Sequence, residues 1–200
     1  MILVVTEGKD DKLVIEALLR KLNLHGYFVV ETHELGDAWL VDPDKTEGAV
    51  EWLKAKIEGL RKETGAKIKS VLLIFDLDLH HWSKEEREKQ KRRLQRALRT
   101  RMAIPLHVFL VHSTIESWLF SDEKAVSKVI KRSYHCPNPD KQGNYPKPKS
   151  FVQRRVWHGY KGRVHNPELA GACDPRIIRK RSRNFAAFCR LLKRLVKGYA

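Results

Sequence analysis

The chain has 200 residues, 42% apolar and 32% charged, which provides for a packed core and excludes wholesale disorder. No apolar run reaches the roughly 18 residues that a transmembrane helix needs. Forty Lys and Arg against 24 Asp and Glu give a net charge of +16, but residues 1–80 hold eleven basic and fifteen acidic side chains while residues 81–200 hold 29 and nine.

Ile2 to Val5 is a continuous apolar run ending in Thr6-Glu7-Gly8, the pattern of a strand buried on both faces and followed by a turn. Asp10 and Asp11 open a stretch whose apolar positions Val14, Leu18, Leu19 and Leu22 recur at helical spacing, and acids suit the positive end of such a helix. Tyr27 to Glu31 predicts a second strand after Gly26. Val50, Leu53, Ile57 and Leu60 predict a second helix closed by basic residues and Gly65. Val71 to Phe75 is the third strand and stops abruptly at Asp76-Leu77-Asp78. Ser83 with Glu86 makes a capping box that starts a highly charged helix to about Arg101. After Pro105, Leu106 to Val111 gives the fourth strand, and Ile115 to Phe120 begins another helix.

Strands alternating with helices over residues 1–130 predict right-handed β-α-β units around a mostly parallel four-stranded sheet flanked by helices, an α/β core. Residues 131–200 form a basic extension expected to pack on it. Between 133 and 182, Pro137, Pro139, Gly143, Pro146, Pro148 and Gly162 lie among Lys and Arg, which predicts long loops with short helices. Helical spacing returns through Phe185, Phe188, Leu191, Leu192 and Leu195. The three cysteines are odd in number and far apart, and a strand stands where a signal peptide would begin, so a reducing, cytoplasmic protein is expected. His135, Cys136, His158, His165 and Cys173 lack zinc-site spacing, and no zinc is expected.

In a parallel α/β sheet, functional groups gather where strands end. Glu7 follows strand one. Asp76 and Asp78 follow strand three and, being two apart, point to the same side. Glu116 follows strand four, and Asp11 lies one helical turn beyond Glu7. Crowded carboxylates repel one another, and a divalent cation removes that penalty. Oxygen-only donors suit Mg²⁺ or Mn²⁺, and Mg²⁺ keeps waters and takes substrate phosphate as a further ligand. Such ions activate water for phosphodiester cleavage, with a carboxylate off the metal as general acid or base. Asp10 reads better as a solvated helix-start charge, and His80 and His81 as a surface turn.

Residues 151–200 carry thirteen Lys and Arg against Glu168 and Asp174. Cations neutralise phosphates, and aromatic faces beside them stack unpaired bases. Arg154, Arg155, Arg176, Arg179, Lys180, Arg181 and Arg183 are interleaved with Trp157, Tyr160 and Phe185, although Phe185 and Phe188 fit a core better. Lys9, Lys147, Lys149, Lys161 and the run Arg179, Lys180, Arg181, Arg183 are the expected phosphate contacts. The expected partner is a nucleic acid, DNA or RNA.

Val4-Val5-Thr6-Glu7-Gly8-Lys9-Asp10-Asp11 and Leu73-Ile74-Phe75-Asp76-Leu77-Asp78 resemble the two signature motifs of the Toprim domain, over roughly residues 1–120. Thr114-Ile115-Glu116-Ser117-Trp118-Leu119 is similar to the Ile-Glu-x-Trp-Leu segment of RloB-like and OLD-family nuclease-type Toprim proteins, known from phage-defence and mobile contexts. Pro146-Lys147-Pro148-Lys149, Tyr160-Lys161 and Arg183-Asn184-Phe185 resemble their tails. The resemblance implies a Rossmann-like Toprim core that cleaves DNA or RNA with Mg²⁺ or Mn²⁺. It implies Glu7 as general acid/base and metal-site residue, Asp11 as a metal-associated acid, Asp76 and Asp78 as catalytic metal ligands, and Glu116 as a further metal-site acid. OLD-like relatives often work with a partner ATPase, and this chain has no G-x-x-x-x-G-K-[ST] loop of its own; whether it needs such a partner stays open at the level of sequence. Leu79-His80-His81 stands where primases and topoisomerases often have a glycine, which suits the nuclease type. Two other readings stay open: a nucleic-acid-binding protein that does no chemistry, and a haloacid-dehalogenase-type phosphatase, whose nucleophile strand also ends Asp-x-Asp. That motif normally lies on the leading strand and continues to Thr or Val where His80 stands.

Overall fold

The computed structural model describes residues 1–33, 39, 42–77, 83–112, 114–137, 153–154 and 157–198. Strands β1 (Ile2–Thr6), β2 (Phe28–Thr32), β3 (Ser70–Asp76) and β4 (Leu106–Val111) form one sheet in the order β2-β1-β3-β4, every neighbouring pair parallel. The helices are α1 (Lys9–Lys21), α2 (Thr46–Thr64), α3 (Lys84–Arg99), α4 (Glu116–Leu119), α5 (Glu123–Ile130), α6 (Gly162–Ala172), α7 (Pro175–Arg181) and α8 (Arg183–Lys197).

The pleat divides each strand between two cores, which is why the strands read as unbroken apolar runs. Ile2, Val4, Leu72, Ile74, Phe109 and Val111 face α1 and the helices from α4 onward. Leu3, Val5, Val71, Leu73, Val108 and Leu110 face α2 and α3. Leu169, Ile178, Phe185, Phe188 and Leu192, all beyond residue 160, lie in the first of these cores together with the sheet.

Local signals set several boundaries. Ser83 and Glu86 exchange the two bonds of a capping box at the start of α3, and Gly65 closes α2 at a φ of 69°. Strand β2 begins at Phe28, one residue later than the sequence suggests, because His25–Tyr27 forms a 3₁₀ turn. The expectation of loops and short helices up to residue 182 fails over α6, eleven residues that run through Pro167. Proline removes one backbone donor there, but Asn166, Leu169 and Ala170 bury the inner face, and packing outweighs the local penalty.

The outer edge of β4 is closed by side chains. The Asn184 amide donates through Nδ2 to the Leu110 carbonyl (3.0 Å), and its Oδ1 accepts from the His112 N–H (3.4 Å) and from Trp118 Nε1–H (3.0 Å). It stands where the peptide group of a neighbouring parallel strand would stand. Arg99 Nε donates to the Leu106 carbonyl at 3.3 Å.

Candidate acidic site at the carboxyl edge of the sheet

Asp76 is the last residue of β3, paired in register with Val111 of β4. Its N–H points toward β1, which has ended, and Glu7 Oε1 accepts it at 3.1 Å. The Glu7 carboxylate thus continues the β1–β3 ladder beyond the strand. Asp76 Oδ2 accepts from the Ile115 N–H at the start of α4 (3.0 Å), while Oδ1 is buried with no hydrogen-bond partner among the described residues. Burial first, and then the charges of Asp11, Glu116 and Glu7, hold the Asp76 carboxyl well above the ordinary carboxylate range; only the Ile115 N–H works the other way. Asp11 Oδ2 accepts from the Gly8 N–H at 3.2 Å. A Cβ on Gly8 would stand 3.2 Å from that oxygen, so the glycine allows the close approach.

Glu116 lies at the first turn of α4 and is only 6% exposed. Asn166 Nδ2, from α6, donates to Glu116 Oε1 at 3.1 Å, and Asn166 Oδ1 accepts from the Tyr160 hydroxyl. Asn166 and Tyr160 are 1% and 2% exposed. Burial, and then the Glu116 charge, raise the Tyr160 phenol above its ordinary value, so it stays a donor. Gly162 begins α6 against this network: a Cβ there would lie 3.2 Å from Asn166 Nδ2 and 3.5 Å from Glu116 Oε1. Asn166→Leu leaves a buried carboxylate and a buried hydroxyl each short of a partner, so a loss of about 2–3 kcal/mol is expected. It would be read as a lower urea midpoint at unchanged slope.

The described acids Glu7, Asp11, Asp76 and Glu116 therefore come together electrostatically around Asp76. Asp78 lies outside the described residues. The donors are oxygen only, and an unpartnered buried carboxylate oxygen among like charges is the condition a hard dication relieves, so the residues fit Mg²⁺ or Mn²⁺ in donor chemistry. Among the described residues, no group of three or more His, Cys, Asp or Glu side chains is set to hold a metal ion. Burial raises the Cys173 thiol and pushes Cys189 up to about 11, so neither is poised as a nucleophile at neutral pH.

The cations divide into two places. Lys9 begins α1 within the acidic turn, and exposed Lys161 precedes α6, its N–H donating to His165 Nδ1 at 2.9 Å. Arg183 begins α8 beside the end of β4. Arg179 lines a pocket with Lys21, Cys173 and Arg176 at the other end of α1, about 18 Å from Lys9 at 1.5 Å per residue. Arg181, from the same helix as Arg179 and Lys180, binds Glu123 at 3.0 Å and the Ser121 carbonyl at 3.4 Å. Lys147 and Lys149 lie outside the described residues. Tyr160, read from sequence among base-stacking aromatics, belongs to the core, and Trp157 packs on His165 with ring centres 3.9 Å apart. Sequence reasoning missed Asn166 altogether. The signal available was a polar residue on the inward stripe Asn166, Leu169, Ala170, Cys173.

A parallel four-stranded α/β sheet with carboxylates gathered at its carboxyl edge defines the class of protein. Residues 6–193 match the family described as a domain of unknown function, DUF4276, and the chain belongs to that family. No curated protein matches it. Among solved structures it is similar to the C-terminal region of the Burkholderia pseudomallei OLD protein, at 15% identity over 100% of this chain and 98% of that one, with a TM-score of 0.47. It is also similar to the C-terminal region of the Xanthomonas campestris pv. campestris OLD protein, at 12% identity over 100% and 97%, with a TM-score of 0.38. No helix among the described residues is long and apolar enough to cross a membrane.

Proposed function

We propose that the protein is a Mg²⁺- or Mn²⁺-dependent nuclease of the Toprim type, cleaving phosphodiester bonds of DNA or RNA. The observation that carries this reading is the buried Oδ1 of Asp76, unpartnered among the described residues and within reach of three other acids' charges. Asp76, Asp78, Asp11 and Glu116 would hold the ion, together with Glu7. The ion supplies charge neutralisation at the phosphate and a more acidic bound water. Glu7 would act as general acid or base; that its Oε1 accepts from the Asp76 N–H, which holds the carboxylate in the ladder position at the sheet edge, supports this role. Asn166 and the Ile115 N–H fix the Glu116 and Asp76 carboxylates in orientation. The net charge of +16 supplies the attraction for a polyanion.

The test is an assay on plasmid, single-stranded DNA and structured RNA with Mg²⁺, Mn²⁺ or EDTA. Cleavage is expected only with metal, and Glu7→Gln should lower its rate by about 10²–10⁴-fold, the range of general acid–base catalysis. No cleavage of any of the three would overturn the proposal. Metal-dependent hydrolysis of p-nitrophenyl phosphate in their place would transfer the same acids to a phosphatase.

A further inference from the structure

We infer that the groove along the outer edge of β4 seats a single-stranded stretch of nucleic acid leading into the acidic site; the inference rests on the nuclease reading above. The groove has a volume of about 560 Å³ and lies between α3 and α8, which pack on opposite faces of the sheet. Arg87 and Lys91 rise from α3 on one side and Arg183 from α8 on the other, against one acid, Glu88. Phe109, Leu110 and Ala187 make its floor, and His112 stands at its upper end. Beyond the groove α3 continues cationic through Arg92, Arg93 and Arg96.

Place and shape identify the occupant. Val111 pairs with Asp76, and His112 is the next residue, so the upper end of the groove is one strand, about 4.8 Å, from the acidic site. Stacked nucleotides advance about 3.4 Å per residue, so a strand with one phosphate at Asp76 places its neighbours in the groove within one or two steps. The floor is mainly apolar, and the Asn184 amide that also lines the groove is already bonded to the Leu110 carbonyl, the His112 N–H and Trp118, so the floor favours the face of an unpaired base over a phosphate, with cations on either rim for the backbone. A duplex hides its base faces and so gains nothing from such a floor.

The experiment is fluorescence anisotropy in EDTA with a labelled 12-nucleotide strand, as DNA and as RNA, and with the matching duplex. Wild type should bind the single strand about tenfold or more tighter than the duplex. Arg87→Ala/Lys91→Ala/Arg183→Ala should weaken strand binding about tenfold or more and reduce the slope of log K against log salt by about 2, at roughly 0.7 for each phosphate the variant no longer neutralises. Arg61→Ala/Lys62→Ala, at the far end of α2, should change neither. An unchanged slope in the triple variant, or equal affinity for the duplex, overturns the inference and leaves the nuclease reading standing; a wild type that neither binds nor cuts any strand overturns both. Photo-cross-linking of wild-type protein to a 5-iodouracil strand is independent of variant folding: adducts on peptides containing Phe109, His112 or Arg183 support the groove, and adducts confined elsewhere refute it.

Discussion

Asp76→Asn is expected to raise the melting temperature of the metal-free protein by about 2–4 °C while abolishing divalent-cation binding. The wild-type carboxyl is buried beside the charges of Asp11, Glu116 and Glu7, and one of its oxygens has no partner among the described residues. Asparagine keeps the shape and an acceptor for the Ile115 N–H, and removes the repulsion. Relief of about 1 kcal/mol, the low end of the cost of an unpaired buried polar group, moves the melting temperature of a domain of this size by about 2–4 °C. The sign with pH is fixed. Because the folded-state pKa lies above the unfolded value near 3.9, the folded protein binds the extra proton between those two limits, and wild-type stability falls as pH rises through them. The gap between variant and wild type is therefore small near pH 4 and widens toward neutrality. Melts in EDTA at pH 4.5 and 7.5, with titration calorimetry of Mn²⁺, would check this. A variant that melts lower than wild type at pH 7.5, or one that still binds Mn²⁺, would remove Asp76 from the centre of the site.

The largest stability loss is expected from Trp118→Ala. Trp118 is 1% exposed, with its ring centre 5.1 Å from Phe188, 5.2 Å from Phe185 and 6.3 Å from Phe109. Truncation costs about 3–5 kcal/mol in such a core, a large part of a total of about 5–15 kcal/mol. The melting temperature should fall by roughly 10 °C or more. Trp118→Phe keeps most of the ring packing but removes the indole donor to Asn184, costing about 1–2 kcal/mol. Trp118 lies between β4 and α8, so far-UV circular dichroism and tryptophan fluorescence should report one urea transition in the wild type. Two transitions would mean that the C-terminal helices unfold independently of the sheet.

The strands were legible because burial on both faces leaves an unmistakable trace, an apolar run cut off by acids, and the start of α3 because Ser83 and Glu86 satisfy each other locally. Helix α6 was not, since what holds it is packing on α1 and the core, and Pro167 and Gly162 argue locally against it. The same division runs through the site. That Glu7 and Asp76 end neighbouring strands could be read from order and spacing, but the bond from the Asp76 N–H to Glu7 depends on register between segments 69 residues apart. Glu116 gave no local sign of being buried, because its partner Asn166 lies fifty residues further on. The cations were the least legible: one basic run in sequence turns out to face an ion pair at Glu123 and the far end of α1.

The Asn184 carboxamide has a consequence for how molecules of this protein meet one another. Unpaired strand edges are templates on which foreign β-structure can grow. Here the last rungs of β4 are already taken by a substituent from a helix, so any newcomer would have to evict an amide that also tethers an indole. At this flank the sheet is terminated from within, guarding against runaway polymerisation while leaving the space just outside it for a chain that needs no rungs to hold.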